Sequence, residues 1–434
     1  MEKRGTRRGG GGSGESSSER VSGAGRAGRG GGVGIEDAVR RVFAPPLEST
    51  GRDRASRRLA VSWRETLRQL FPLGHVSLDN RVRVRTDGDE AFEALWNAID
   101  AARESLGLAT YILEPDRVGR ETLARLARAA ERGVEVLLVV DAFGSHRLLA
   151  ADLAPLRDAG AKVVRYNPLF GRRRTSTLKR LHQKILVRDG EQAFVGGLNF
   201  SEDYAGQRLG TGLFRDTLLE VEGPAARALD RLVRRAADEK ARIAAIPDVL
   251  EGGGTLVEVL ESNRRRHRRA IQRALRTTVR RAVQRCSLST PYFVPPARLR
   301  TELCRAAERG VEVRILTAGR SDVRTVHLAS QHIYGQLLRS GVRIFELSSS
   351  VLHAKTTAID GVFATVGSFN LDHWSDRRNL EVSVCVLDRD LASRLEASFE
   401  TDLEGAREVT LRDWEGRSLL QRILHAAAYH LMRL

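Results

Sequence analysis

Two nineteen-residue stretches constrain this chain more than anything else in it. LHQKILVRDGEQAFVGGLN, from Leu181 to Asn199, returns as LHAKTTAIDGVFATVGSFN from Leu352 to Asn370. Both copies read His-x-Lys, an Asp five residues on, a Gly seven beyond that and an Asn three later. The residues are His182, Lys184, Asp189, Gly196 and Asn199, then His353, Lys355, Asp360, Gly367 and Asn370. Alternate side chains of an extended strand share a face, so each His and its Lys point the same way about 7 Å apart. Both reach one anion. An imidazole attacks or protonates near neutral pH, and a lysine supplies positive charge for phosphate oxygens. Small residues at the Gly end let the backbone approach closely, and the Asn amide adds a donor.

A single His-x-Lys is more often an exposed polar face than a catalytic pair. Two copies in identical register are hard to obtain from core packing alone. One copy makes half a phosphate site; two facing copies set a nucleophile against a general acid. That arrangement supports phosphoryl transfer through a phosphohistidine without a metal or other cofactor, because lysines and asparagines carry the charge. No His-x-x-x-His or Cys-x-x-Cys pair appears in the sequence, and the lysines would repel a cation, so no metal is expected.

The paired motifs resemble the HKD signature of the phospholipase D superfamily. VGGLNFSEDY, FRDTLLEVEGPA, STPYFVP, GRSDV and VGSFNLDHWSDRRNLE are similar to bacterial cardiolipin synthases. The likeness runs from about Val76 to Leu403 and departs at Gly197, where the general pattern has Ser. It implies His182, Lys184, Asp189, His353, Lys355 and Asp360 as the catalytic set, and Asn199, Ser368 and Asn370 as phosphate-binding residues. It also implies Asp216 and Glu381 as the carboxylates that orient the histidines, each expected to serve the histidine of the copy it follows. Asp189 and Asp360 are equally well read as strand-end residues before Gly190 and Gly361 that position the strand.

The rest of the chain agrees with an α/β fold. Ala91–Ala102, Arg120–Arg132 and Leu148–Asp158 have helical patterning. They alternate with strand-like Leu106–Leu113, Val134–Val140 and Lys162–Tyr166. AAERGVEVLLVVDA at Ala129 returns as AAERGVEVRILTAG at Ala306, so the domain is duplicated. We therefore expect two phospholipase D-like lobes, each a mostly parallel mixed sheet flanked by helices, related by a pseudo-two-fold axis with the site between them. Expected boundaries are 76–250 for the first lobe, 251–410 for the second and 411–434 for a C-terminal amphipathic helix. Residues 1–75 are expected to form a disordered Gly/Arg-rich terminus and linker, with Val61–Phe71 as a short docking helix.

With 434 residues, a formal charge of +17 and pI near 10.7, the chain keeps polyanionic company: nucleic acid, anionic membrane or phosphorylated substrate. Aromatic residues make up 5% and do not interleave with basic runs, which disfavours stacking on bases. Nucleic acid is therefore not expected as a partner, although a phosphodiesterase acting on it or on another phospholipid is the alternative reading. Three cysteines, Cys286, Cys304 and Cys385, have no metal-ligand spacing and suit a reducing compartment. No stretch has the apolar length of a spanning helix.

Two arginine features look outward. Arg265, Arg269, Arg273, Arg276 and Arg280 form a stripe in an expected helix from Arg264 to Arg285, and Arg172–Arg174 with Lys179 and Arg180 precede His182. In the tail, Leu419, Leu420, Ile423, Leu424, Ala427 and Leu431 share one arc, opposite Arg417, Gln421, Arg422, His425 and Arg433. This suits an interfacial membrane helix or a cap on the second lobe. Together with the resemblance, these features imply a peripheral enzyme on the cytoplasmic face of the membrane, acting on an anionic phospholipid, phosphatidylglycerol.

Overall fold

The computed structural model describes residues 30–43, 53–168, 179–238, 244–262, 269–321 and 323–432. One continuous sheet of fifteen strands runs through both lobes. From the outer edge of the first lobe inward the order is 162–166, 135–141, 105–110, 185–188, 192–196, 218–222 and 75–85. From the outer edge of the second lobe it is 406–409, 343–347, 312–318, 285–289, 356–359, 363–367, 381–387 and 255–262. The lobes thus repeat one strand order, and they meet where 75–85 pairs with 255–262.

Within each lobe the strands joined by crossover segments pair in parallel, as 105–110 with 135–141 and 135–141 with 162–166 do in the first. The motif strands are antiparallel hairpins. Their turns need left-handed backbone at two consecutive positions: φ is 52° at Asp189 and 65° at Gly190, and 55° at Asp360 and 65° at Gly361. Asp-Gly is the dipeptide that adopts this pair of angles most easily. Each turn is therefore written into its motif.

Helices Pro224–Ala237 and Arg389–Glu404 cover one face of the sheet, where Val187, Val195, Val221, Val257, Val384 and Leu395 share a core. On the other face, Gly88–Asp100 and Arg117–Glu131 cover the first lobe. Ala270–Arg281, Ala297–Glu308 and Arg324–Arg339 cover the second. The three cysteines are free and buried.

Two expectations are corrected here. Much of the segment assigned to a disordered linker is helical, at Gly30–Phe43 and Asp53–Leu70. Ile35, Val39, Leu59, Trp63, Leu67 and Leu70 enter the core of the second lobe, and Trp63 stacks on Phe363 with ring centroids 5.0 Å apart. The four-residue spacing of Leu59, Trp63 and Leu67 builds one apolar face, which a reading dominated by Gly and Arg content underweights. Residues 1–29 lie outside the described residues.

The tail is two helices, Leu411–Glu415 and Leu419–Leu431, and the longer one sits on its small and aromatic side. Tyr429 is buried, whereas Leu419, Leu420, Ile423, Leu424 and Leu431 face outward. No helix among the described residues is long and apolar enough to cross a membrane.

Candidate active site

The two motif strands enter the site by pairing with the opposite lobe. The His182 amide donates to the Leu380 carbonyl (3.0 Å), and the Leu380 amide to the Arg180 carbonyl (2.9 Å). In the other half the His353 amide donates to the Arg215 carbonyl (2.8 Å), beside paired Val351 and Phe214. Each histidine is thereby stitched to the segment that carries the other lobe's acid.

The side chains cross in the same sense. His182 Nδ1 donates to Glu381 Oε2 (3.0 Å), and His353 Nδ1 donates to Asp216 Oδ2 (2.6 Å). Sequence order had assigned each acid to the histidine before it, but the fold exchanges them. A carboxylate only accepts, so Nδ1 of each ring carries a proton and Nε2, which in His353 lies 3.5 Å from the Tyr204 hydroxyl, is the nitrogen left for chemistry. Both histidines are nearly buried, at 9% and 5% exposure.

The lysines converge between them. Lys184 Nζ donates to the His182 carbonyl (2.9 Å) and lies over the Tyr111 ring at 5.4 Å. Lys355 donates to the His353 carbonyl, and its Nζ lies 2.8 Å from His353 Nδ1. Burial, with Lys355 nearby, pulls the Lys184 ammonium down to about 7. Burial also lowers the pKa of His182, against the pull of Glu381, with both lysines adding to the fall. His182 is therefore a neutral imidazole near pH 7. Burial raises Asp216 to about 6, which leaves it ionised at neutral pH.

Asp189 and Asp360, placed in the catalytic set by their motif, stand elsewhere. Asp189 accepts the amides of Arg103, Glu104 and Ser105 at 2.8 to 3.3 Å. Asp360 accepts those of Val283, Gln284 and Arg285 at 2.8 to 3.2 Å. Each lies at the far end of its motif strand from the histidine and ties that end to the start of the neighbouring strand. Their job is positioning, because no reacting group lies within their reach.

Of the three expected phosphate ligands, two are committed to the protein. Ser368 Oγ donates to Glu381 Oε2 (2.6 Å) and accepts from the Val382 amide (3.1 Å). Asn199 Nδ2 donates to the Tyr204 hydroxyl (2.7 Å) while its oxygen accepts from the Ile112 amide (3.3 Å). Asn370 is buried, and its side-chain oxygen has no hydrogen-bond partner among the described residues.

The departure at Gly197 has a steric cause. A Cβ there would lie 2.3 Å from Asp216 Oδ1 and 2.5 Å from Oδ2. The short Asp216 closes over a glycine in one half, whereas the longer Glu381 is reached by the Ser368 hydroxyl in the other.

Several residues of the site were not singled out from sequence. Tyr204, whose hydroxyl is 3.5 Å from His353 Nε2, lies inside the NFSEDY run. Asn379 donates to Glu381 Oε1 (3.2 Å), and Asp141 accepts the Leu181 amide (2.8 Å), fixing the residue before His182. Tyr204 and Asn379 lie within the quoted runs, close in sequence to Asn199 and Glu381, whereas only the fold brings Asp141 to the motif. Lys179 and Arg180, read as an anion lure, are largely occupied: Arg180 reaches Asp141 (3.4 Å) and the Asn167 carbonyl (3.3 Å), and Lys179 is buried over Tyr166. Arg172–Arg174 and Arg265 lie outside the described residues. The helix of the arginine stripe spans Ala270–Arg281, and Arg280 meets Gln69 (2.9 Å).

The family model described as "Cardiolipin synthase, PLD-like domain" matches residues 95–217 and 275–403, one segment per lobe. The chain belongs to the cardiolipin synthase family of phospholipase D-like proteins. Its similarity to cardiolipin synthase A of Pseudomonas putida (strain W619) is 32% identity over 363 residues, covering 82% of this chain and 76% of that protein. To the cardiolipin synthase of Geobacillus sp. (strain WCH70) it is 31% over 381 residues, covering 84% and 75%.

Among solved structures, phosphatidylserine synthase of Haemophilus influenzae Rd KW20 superposes with a TM-score of 0.65 at 14% identity, covering 86% of this chain and 99% of that one. At that identity the match speaks for the fold alone. As a cardiolipin synthase family member, the chain carries both histidines, both lysines and both carboxylates at one interlobe site.

Proposed function

We propose that this chain is a phosphatidyltransferase that works on phosphatidylglycerol at the membrane surface, joining two molecules into cardiolipin with release of glycerol. The observation that carries the reading is the crossed pairing of His182 with Glu381 and His353 with Asp216.

His182, neutral at pH 7, attacks the donor phosphorus through Nε2. The bond from phosphorus to the glycerol headgroup oxygen breaks as His353, which enters as the imidazolium paired with Asp216, delivers its Nε2 proton to that oxygen. The product is a phosphatidyl group bonded to His182 and free glycerol. A hydroxyl of a second phosphatidylglycerol then gives its proton to His353 and attacks the same phosphorus. The nitrogen to phosphorus bond breaks, cardiolipin leaves and His182 is restored.

Glu381 and Asp216 stabilise the positive charge that each ring carries in turn. Lys184, Lys355 and the Asn370 amide face the charge that develops on the phosphoryl oxygens. Attack is assigned to His182 rather than His353 by resemblance to the family, and the burial that lowers the pKa of His182 is compatible with that role.

The test is purified protein on phosphatidylglycerol vesicles with products identified by mass. Cardiolipin and glycerol in equal amounts, lost in His182→Ala and His353→Ala, is the expected result. Phosphatidic acid alone would replace transfer with hydrolysis, and cleavage of DNA or RNA without lipid turnover would overturn the lipid assignment.

A further inference from the structure

The last helix exposes an unusual amount of apolar surface. Leu419 is 74% exposed, Leu420 67% and Leu431 63%, and Ile423 and Leu424 lie beside them. A stripe of this kind marks an interaction surface rather than a solvated face. Beneath the same helix, between it and Arg324–Arg339, is a cavity of about 400 Å³. Among the described residues its lining includes Arg300, Arg339, Arg417, Arg422, His332 and His425, and no carboxylate.

The guanidiniums are held in place rather than spent on acids. Arg339 and Arg422 lie over the ring of Trp414 at 5.0 and 5.7 Å. Arg300 donates to the Tyr429 hydroxyl (2.8 Å), and Arg417 to the Gln331 carbonyl (3.1 Å). Three carboxylates stand outside the lining: Glu415 meets Arg339 at 3.4 Å, and Glu346 and Asp413 act on Arg417 through space. The helix from Leu419 to Leu431 contains Arg422 and two histidines but no acid.

We infer that this cavity and the leucine stripe above it form a second phospholipid site, separate from the catalytic pair. It takes the phosphate of an anionic lipid among the arginines and its acyl chains along the helix. Both halves of the ligand are demanded by the surface. Arginines around a pocket without carboxylates select a phosphate, and adjoining leucines select one that carries hydrocarbon. A second copy of the chain fits poorly, because this face would meet its own positive charge. An acidic protein partner would leave the leucines without lipid-like cover. The helix is seated on Arg324–Arg339, which begins beyond the end of strand Glu312–Ala318.

The experiment is flotation of the full chain with vesicles of phosphatidylcholine, alone or mixed with phosphatidylglycerol. The unaltered chain should float with the mixed vesicles. Leu420→Glu with Leu424→Glu should lower that partitioning about tenfold or more. Arg339→Gln with Arg422→Gln should remove the preference for anionic lipid by a similar factor. Trp414 fluorescence should respond saturably to dihexanoyl phosphatidylglycerol and not to inorganic phosphate, with the response absent in Trp414→Phe.

Far-ultraviolet circular dichroism and melting must match the unaltered chain, and transfer measured on detergent-dispersed lipid should be retained in both double variants. Flotation does not depend on turnover, so loss of the catalytic reading would leave this site standing. Equal flotation of all variants would overturn it. So would an equal fluorescence response to inorganic phosphate, or light scattering showing that the leucine changes only split a dimer.

Discussion

A methyl group at residue 197, in the first lobe, should disable the histidine of the second. In Gly197→Ala the new Cβ would sit 2.3 and 2.5 Å from the two Asp216 oxygens and 2.8 Å from its Cγ. Ordinary carbon to oxygen contacts exceed these distances by nearly 1 Å, so the carboxylate must move by about that much. Asp216 is held by His353 at 2.6 Å and by the Thr217 amide at 2.7 Å, and a displacement of that size breaks at least one of these bonds.

A charge-assisted hydrogen bond contributes about 1.5 to 3 kcal/mol, so losing the bond to His353 lowers the rate about 10- to 150-fold. The assay is cardiolipin formation from phosphatidylglycerol, with kcat/KM measured for Gly197→Ala beside Asp216→Asn. Both should fall within that range, and the double variant should fall little further, because both changes act on one bond. A Gly197→Ala enzyme with normal kcat/KM, or losses that multiply in the double variant, would refute the crossed arrangement.

The pH dependence separates activity from stability. His182 is held below its ordinary pKa and Lys184 at about 7. Hence kcat/KM should fall on the acid side below pH 6.5 and on the alkaline side from about pH 7. The unfolded chain binds the Lys184 proton up to about pH 10.4 whereas the folded chain releases it near 7, so this group makes stability rise with pH over the window in which activity falls. Parallel pH profiles of denaturant unfolding and of rate check the opposition. Asp189→Ala removes the acceptor of three backbone amides and should cost about 2 kcal/mol of stability, while the folded fraction retains near-normal turnover per molecule. Trp63→Ala, which empties the stack on Phe363, should destabilise the second lobe by about 3 to 5 kcal/mol by chemical denaturation.

Alternating strand and helix patterns made the α/β class legible, and the duplicated motif made the two lobes and the four central residues His182, Lys184, His353 and Lys355 legible, because strand periodicity and an Asp-Gly turn are local properties. What escaped was tertiary. Glu381 follows His353 and Asp216 follows His182 along the chain, so no local rule reveals that each serves the other histidine. Ser368 and Asn199 occupy motif positions that look suited to phosphate. The fold surrounds them with Glu381 and Tyr204 instead, and a buried hydroxyl takes the acceptor nearest to it. The helix of Trp63 was legible only in part, since its apolar face is set among arginines. The tail sequence reads as an amphipathic helix, yet a hydropathy pattern does not state which face meets the protein.

The most direct test of two imidazoles acting on one phosphorus is to trap the intermediate on His353→Ala, using a phosphatidyl diester with a p-nitrophenol leaving group. That group departs without a general acid, whereas the next step still needs the missing base. The account predicts a burst of one p-nitrophenolate per enzyme and a protein, denatured at mildly alkaline pH, that carries the phosphatidyl group on His182 by peptide mass. An adduct on any other residue, or steady turnover with no adduct at all, would contradict it.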